Sequence, residues 1–277
     1  FVVEPLALGD EAIELFAARA RAQRPGFEIA PGEREAVAEI VRLLDGLPLA
    51  IELAAARVRV LSPAQIVARL QDRFALLAGA RGAAARQVTL KAAIDWSWEL
   101  LAPWEQAALA QCSVFQGGFT RAAALAVAGC SLPLLSSLVD KSLVAVDEAG
   151  RFALHPVVAA YAAERQAEDP VRGAAAATRH AEFYARLWAA LAPHARADPR
   201  PLVDGVNAEF ANGRAAWQHA ARQRRADLVD AMVPTWRTYG ENQGRLVEGI
   251  EQMRLALDLP TDTALAQFLA DNELARA

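Results

Sequence analysis

Four histidines (His155, His180, His194, His219) and two cysteines (Cys112, Cys130) are the side chains of this 277-residue chain best suited to metal or nucleophile chemistry. No two of them stand at the short spacing that lets a turn or one helix face present ligands to a metal ion. A serine nucleophile on a sharp strand-to-helix elbow needs Gly-x-Ser-x-Gly, which the chain lacks. A phosphate-cradling P-loop needs a lysine directly after a glycine. The two lysines follow Leu90 and Asp140 instead, as Lys91 and Lys141. Gly117-Gly118-Phe119-Thr120 offers glycines without the lysine and reads as a turn and a helix cap. No apolar run ends in the paired acids of a Walker B segment. The chain is therefore expected to hold no catalytic residue and no metal site. Its two cysteines read as reduced thiols rather than a disulfide framework.

The elements that position these side chains read as helices. Hydrophobic residues make up 54% of the chain, with an excess of Ala, the strongest helix former. Asp10 reads as the N-cap of a first helix through Ile13, Phe16 and Ala20. A second helix, through Val37, Ile40, Val41 and Leu44, is expected to stop at Gly46, which tolerates the left-handed conformation at the position after a helix end. Pro48 fits the first turn of a third helix, where its missing N–H costs nothing. Ser62-Pro63 opens a fourth. Residues 79–87 read as a small-residue linker. Helices over 90–101, 103–112 and 132–140 follow, with Thr120 capping another between the last two. Residues 143–146 and 151–154 then read as strands around a turn, and Pro156 opens a closing helix. Helices followed by one hairpin outline a winged helix. Segments 180–191, 206–221, 226–239 and 244–257 suggest an antiparallel helical array. Phe1 to Leu6 reads as a short strand, the last of a sheet expected to lie before it.

A net charge of −4 gives no long-range pull toward nucleic acid or an acidic membrane. No apolar stretch reaches the length of a bilayer span, and the first residues lack the features of a signal peptide. A cytoplasmic location with no membrane contact is the expectation.

Three stretches in order resemble one family. Asp45-Gly46-Leu47-Pro48-Leu49-Ala50 is similar to the GLPLA segment of STAND-class signal-transduction ATPases (NB-ARC/AfsR/LuxR-type). Thr89 to Trp98 and Val114 to Thr120 resemble the winged helix of its bacterial members tied to transcriptional regulation. Leu154-His155-Pro156 stands where the family carries a nucleotide-sensing histidine, usually within Met-His-Asp. The histidine is present and the acid is not. Arg179 to Tyr184 and Asn207 to Asn212 resemble the start of the family's tetratricopeptide-like region.

The resemblance implies a mainly α chain in four parts. These are the last strand of a nucleotide-binding domain (1–8), a helical lid (9–86), a winged helix with one hairpin (87–170) and a tetratricopeptide-like array (171–277). It also implies that ATP or ADP sits between an upstream P-loop domain and these parts. Gly46, Leu47 and Pro48 would then lie near base and ribose, and His155 would reach the β-phosphate of ADP. Without the P-loop, the chain by itself is expected neither to bind nucleotide tightly nor to hydrolyse it. Its partners would be the P-loop domain, a protein or signal at the C-terminal helices, and further copies when activated.

The rival readings are a winged-helix DNA-binding regulator and a helical interaction scaffold with no nucleotide. A DNA reader should carry Arg, Lys, Asn or Gln on its recognition helix. The candidate, Leu132 to Asp140, has none, so DNA binding is not expected. Trp96, Trp98 and Trp104 read as core, and Trp188, Trp217 and Trp236 as packing between helices. Arg222, Arg224 and Arg225 read as a solvated turn.

Overall fold

The computed structural model describes residue 6 and residues 9–75, 83–194 and 198–243. The strand expected before Leu6, linker residues 79–82 and the helix expected over 244–257 lie outside the described residues. Among the described residues are twelve α-helices and one small three-stranded sheet, so the fold is mainly α. They form two compact units. One draws on the spans Phe1–Ala107 and Pro133–Ala145, the other on Ala108–Leu132 and Val146–Ala277. Residues 87–170, read from sequence as one domain, contribute to both.

The first unit is built on α1 (Asp10–Gln23), α2 (Arg34–Leu43), α3 (Pro48–Ala55), α4 (Pro63–Ala75) and α5 (Ala83–Glu99). Helix α3 is apolar nearly all round because it packs against both α1 and α5, and it buries Ala50, Ile51, Leu53, Ala54 and Ala55. The turn Ala56–Arg59 continues it as a 3-10 helix. Ser62 and Gln65 open α4 as a reciprocal capping box: the Gln65 N–H donates to Ser62 Oγ at 3.3 Å, and the Ser62 N–H to Gln65 Oε1 at 2.9 Å. Asp10 does not cap α1. It is the first helical residue, and Gly9 holds the cap position without a side-chain bond.

The remaining helices are α6 (Pro103–Cys112), α7 (Arg121–Ala128), α8 (Leu132–Asp140), α9 (Pro156–Ala167), α10 (Pro170–Leu191), α11 (Arg200–Arg222) and α12 (Ala226–Gln243). Trp96 is buried and Trp98 half-buried, but Trp104 is 69% exposed, against the core role expected of it. Its position explains this. Glu105, Ala108, Leu109 and Cys112 form the buried stripe of α6. Trp104 sits one residue off that stripe in the first turn, where side chains lean back past the helix start.

In the second unit the sheet runs in the order β1 (Gly118–Phe119), β3 (Phe152–Ala153), β2 (Ala145–Val146). The hairpin falls where the sequence predicts it. Strand β1 is the addition: residues read as a turn pair antiparallel to β3, with Gly118 opposite Ala153 and Phe119 opposite Phe152. Thr120 caps α7 by accepting the Ala123 N–H. Helices α10, α11 and α12 pack on one another and α7 packs on α10. Trp188, Trp217 and Trp236 meet edge to face in the centre of the array, with centroids 5.0 Å and 6.4 Å from Trp236. Arg225, in the basic turn, bonds Asp227 at 2.7 Å and Glu182 at 3.3 Å.

Candidate functional site

The segment Gly46-Leu47-Pro48 is shaped by the end of α2. Asp45, not Gly46, is the left-handed residue just past that helix, with φ 53°. Its N–H donates to the Arg42 carbonyl at 3.1 Å, and the Gly46 N–H to the Val41 carbonyl at 3.2 Å, which together form a Schellman motif. Gly46 repeats the positive φ at 65°, so two successive left-handed residues turn the chain sharply into α3. The Gly46 carbonyl accepts the Leu6 N–H at 3.0 Å. Gly46 and Leu47 are buried, and Leu47 precedes Pro48 at the first position of α3. Pro48 is half-buried, so of the three it presents the side-chain surface a ligand would meet.

His155 lies in the second unit, at the start of α9. Its side chain caps that helix: the Val157 N–H donates to Nδ1 at a long 3.4 Å. With Nδ1 as acceptor, the neutral ring carries its proton on Nε2. The ring is half-buried.

His180 is 3% exposed, and burial pushes its imidazole down to about 4. Burial and the nearby Arg222 and Arg225 also lower His219. The side chain of His194 is outside the described residues. Cys112 and Cys130 are buried, free thiols, and contact with Cys130 together with burial pushes Cys112 up, away from reactivity. Among the described residues no group of three or more His, Cys, Asp or Glu side chains could hold a metal ion. No single described helix is long and apolar enough to cross a membrane.

Helix α8, expected from sequence to take the recognition position of a winged helix, buries Leu135 and Leu138 and exposes Leu132, Pro133, Ser136 and Asp140. The nearest cation, Lys141, is held inward by Glu105, which also accepts the Ser137 hydroxyl at 2.7 Å. Burial works to raise the Glu105 carboxyl, but the bonds from Lys141, Ser137 and the Ala102 N–H together hold it low. Arg59 lies 3.8 Å from Asp140. Among the described residues, Lys141 and Arg59 thus each lie beside a carboxylate at this helix.

A polar network that no motif announced lies between the hairpin and α11. Arg151 Nη1 donates to Glu209 Oε1 at 2.6 Å, and Nη2 to the carbonyls of Gly118 and Ala208, both at 3.2 Å. Asn212 Nδ2 donates to Gly118 O at 2.9 Å and Glu209 Oε2 at 3.2 Å, while its Oδ1 accepts the Gln116 N–H at 2.8 Å. His180 Nε2 stands 3.2 Å from the same oxygen. The sequence does carry a signal: Glu209 and Asn212 interrupt a buried stripe of Leu202, Val206, Gly213, Ala216 and Ala220 at helical spacing.

No family model matches the chain. It is 50% identical over 173 residues to a Mycobacterium tuberculosis protein named "Putative HTH-type transcriptional regulator", and equally to its Mycobacterium bovis counterpart. That match covers 58% of this chain and 20% of the relative. An uncharacterised M. tuberculosis protein is 47% identical over 154 residues, covering 52% of this chain and 39% of that protein. The chain thus spans a fifth to two fifths of the length of these relatives.

Proposed function

We propose that this chain is a regulatory segment of a larger transcriptional regulator, one that relays a signal between neighbouring domains rather than reading DNA. The likeness to proteins named as HTH-type regulators supports the regulatory setting. The observation that carries the relay role is the face of α8. A helix that reads base edges and phosphates needs donors and cations, and α8 exposes two apolar residues, a serine and an acid. Within that role, the STAND resemblance supports a nucleotide-driven switch. Pro48 and His155 would each meet ADP held by a P-loop domain, and the C-terminal helices would receive the partner or signal. The chain on its own would then neither hydrolyse ATP nor hold it tightly, and activation would expose a surface for further copies.

The names of the relatives favour a second reading, in which the winged helix itself holds DNA. Fluorescence anisotropy of the isolated chain on a labelled duplex at about 50 mM salt separates the two, since phosphate contacts are strongest at low salt. The relay reading expects no change in anisotropy. Binding that weakens steadily as salt is added establishes the DNA-reading alternative instead.

A further inference from the structure

We propose that Arg151, Glu209 and Asn212 form a polar latch through which a partner bound at the C-terminal helices is felt at the β2–β3 hairpin. The proposal rests on the relay reading for its signal, but the latch itself stands on geometry. Its acid sits at a break: α11 loses helical dihedrals at Glu209, with φ −121° and ψ 18°. Helix breaks of this kind arise where a side chain engages the backbone ladder, and Arg151 bonds the carbonyl of Ala208, the residue just before the break. One guanidinium therefore binds the broken helix by its backbone and its carboxylate, and the sheet by the carbonyl of Gly118. Asn212, 1% exposed, ties the same Gly118 carbonyl and the Gln116 N–H to α11 from the other side.

An ion pair with Glu209 6% exposed is a costly way to stabilise a core. Apolar side chains of the same volume commonly do as well or better, whereas removing one partner leaves an uncompensated buried charge. What the pair does provide is a fixed register with two discrete states. Docked, every group in it is bonded; undocked, each can be taken up by water. A second tie gives the motion a pivot. Arg179 of α10 bonds the Val127 carbonyl at 2.7 Å and Gln111 Oε1 at 2.6 Å, and α7 packs along α10. Opening at Arg151 leaves that contact in place. A partner that straightens α11 at Glu209 withdraws the carboxylate from Arg151 and frees the hairpin. A hairpin held in place likewise favours the broken form of α11, because coupling between two sites is reciprocal.

Hydrogen exchange on the 277-residue chain tests the latch without reference to any partner. Arg151→Met and Glu209→Gln should each speed amide exchange in 145–153 and 200–212 by about 100-fold, the loss expected when one partner of a buried pair is removed. Protection in α7 and α10 should hold. The double variant should exchange less than the sum of the two single effects. Uniform loss of protection across the second unit, or none at the hairpin, overturns the latch. In the whole regulator, the same variants should change signal-independent reporter output. Local opening with unchanged output overturns the coupling role, while the relay reading is tested separately by the DNA measurement.

Discussion

At the scale of single residues, His180 makes the clearest statement about solution behaviour. Its ring is buried against Phe115 and Tyr184 and faces Asn212, Glu209 and His219. Folding lowers its pKa from 6.5 to about 4. Between those values the unfolded chain binds a proton that the folded chain refuses, so stability falls as pH drops from 6.5 toward 4 and levels off below. The full shift corresponds to about 3 kcal/mol. His180→Gln keeps an N–H for Asn212 and removes the titration. Its melting temperature should therefore fall less than that of the parent chain between pH 7 and pH 4, the remaining slope coming from His219 and from carboxyls held low, such as Glu105. Superimposable pH profiles would show that His180 is protonated without cost.

At the scale of elements, α10 and α11 approach as closely as they do because Gly213 has no side chain. A Cβ built there would lie 1.9 Å from Cζ2 of Trp188. Ala is the better helix former by about 1 kcal/mol, but forcing a methyl into the indole costs about 1–3 kcal/mol or more. Gly213→Ala should lower the melting temperature by several degrees, and Trp188→Leu in the same chain should recover part of the loss. A Gly213→Ala chain as stable as the parent would contradict the packing. This contact also shows why the array was only partly legible in sequence. Periodicity marks Ala216 and Ala220 as inward-facing, but nothing local reveals that Gly213 faces an aromatic ring 25 residues earlier in the chain. The hairpin was legible because two short apolar runs bracket the turn residues Asp147 to Gly150. Strand β1 was not, because two residues carry no period and Gly118-Phe119 pairs only once β3 lies beside it. Asp45 took the place just past α2 expected of Gly46, which is left-handed one residue later, for a similar reason. An aspartate tolerates that conformation, and the bonds to Arg42 and Val41 decide which residue adopts it. Trp104 was misread because composition marks it apolar, while its facing depends on a phase that only the packed α6 fixes.

At the scale of the whole molecule, the candidate site is distributed: Gly46, Leu47 and Pro48 belong to one compact unit and His155 to the other. Each has a local structural role, the first three in turning α2 into α3 and His155 in capping α9. Sequence motifs identified these positions, but the network of Arg151, Glu209 and Asn212 became visible only with the fold, because Arg151 reaches Glu209 across 58 positions of chain and Asn212 reaches Gly118 across 94. The most direct test of a nucleotide-gated regulatory segment is ADP release from the whole regulator carrying His155→Asn. Asparagine is a strong N-cap, so α9 keeps its start and the fold should hold. What it lacks is the longer imidazole, whose N–H the resemblance would bring to the β-phosphate in a bond to a charged group worth about 1.5–3 kcal/mol. ADP should therefore leave about 10–100-fold faster, and signal-independent reporter output should rise, with the melting temperature unchanged. Unchanged ADP release and unchanged basal output from a normally folded variant would contradict the account.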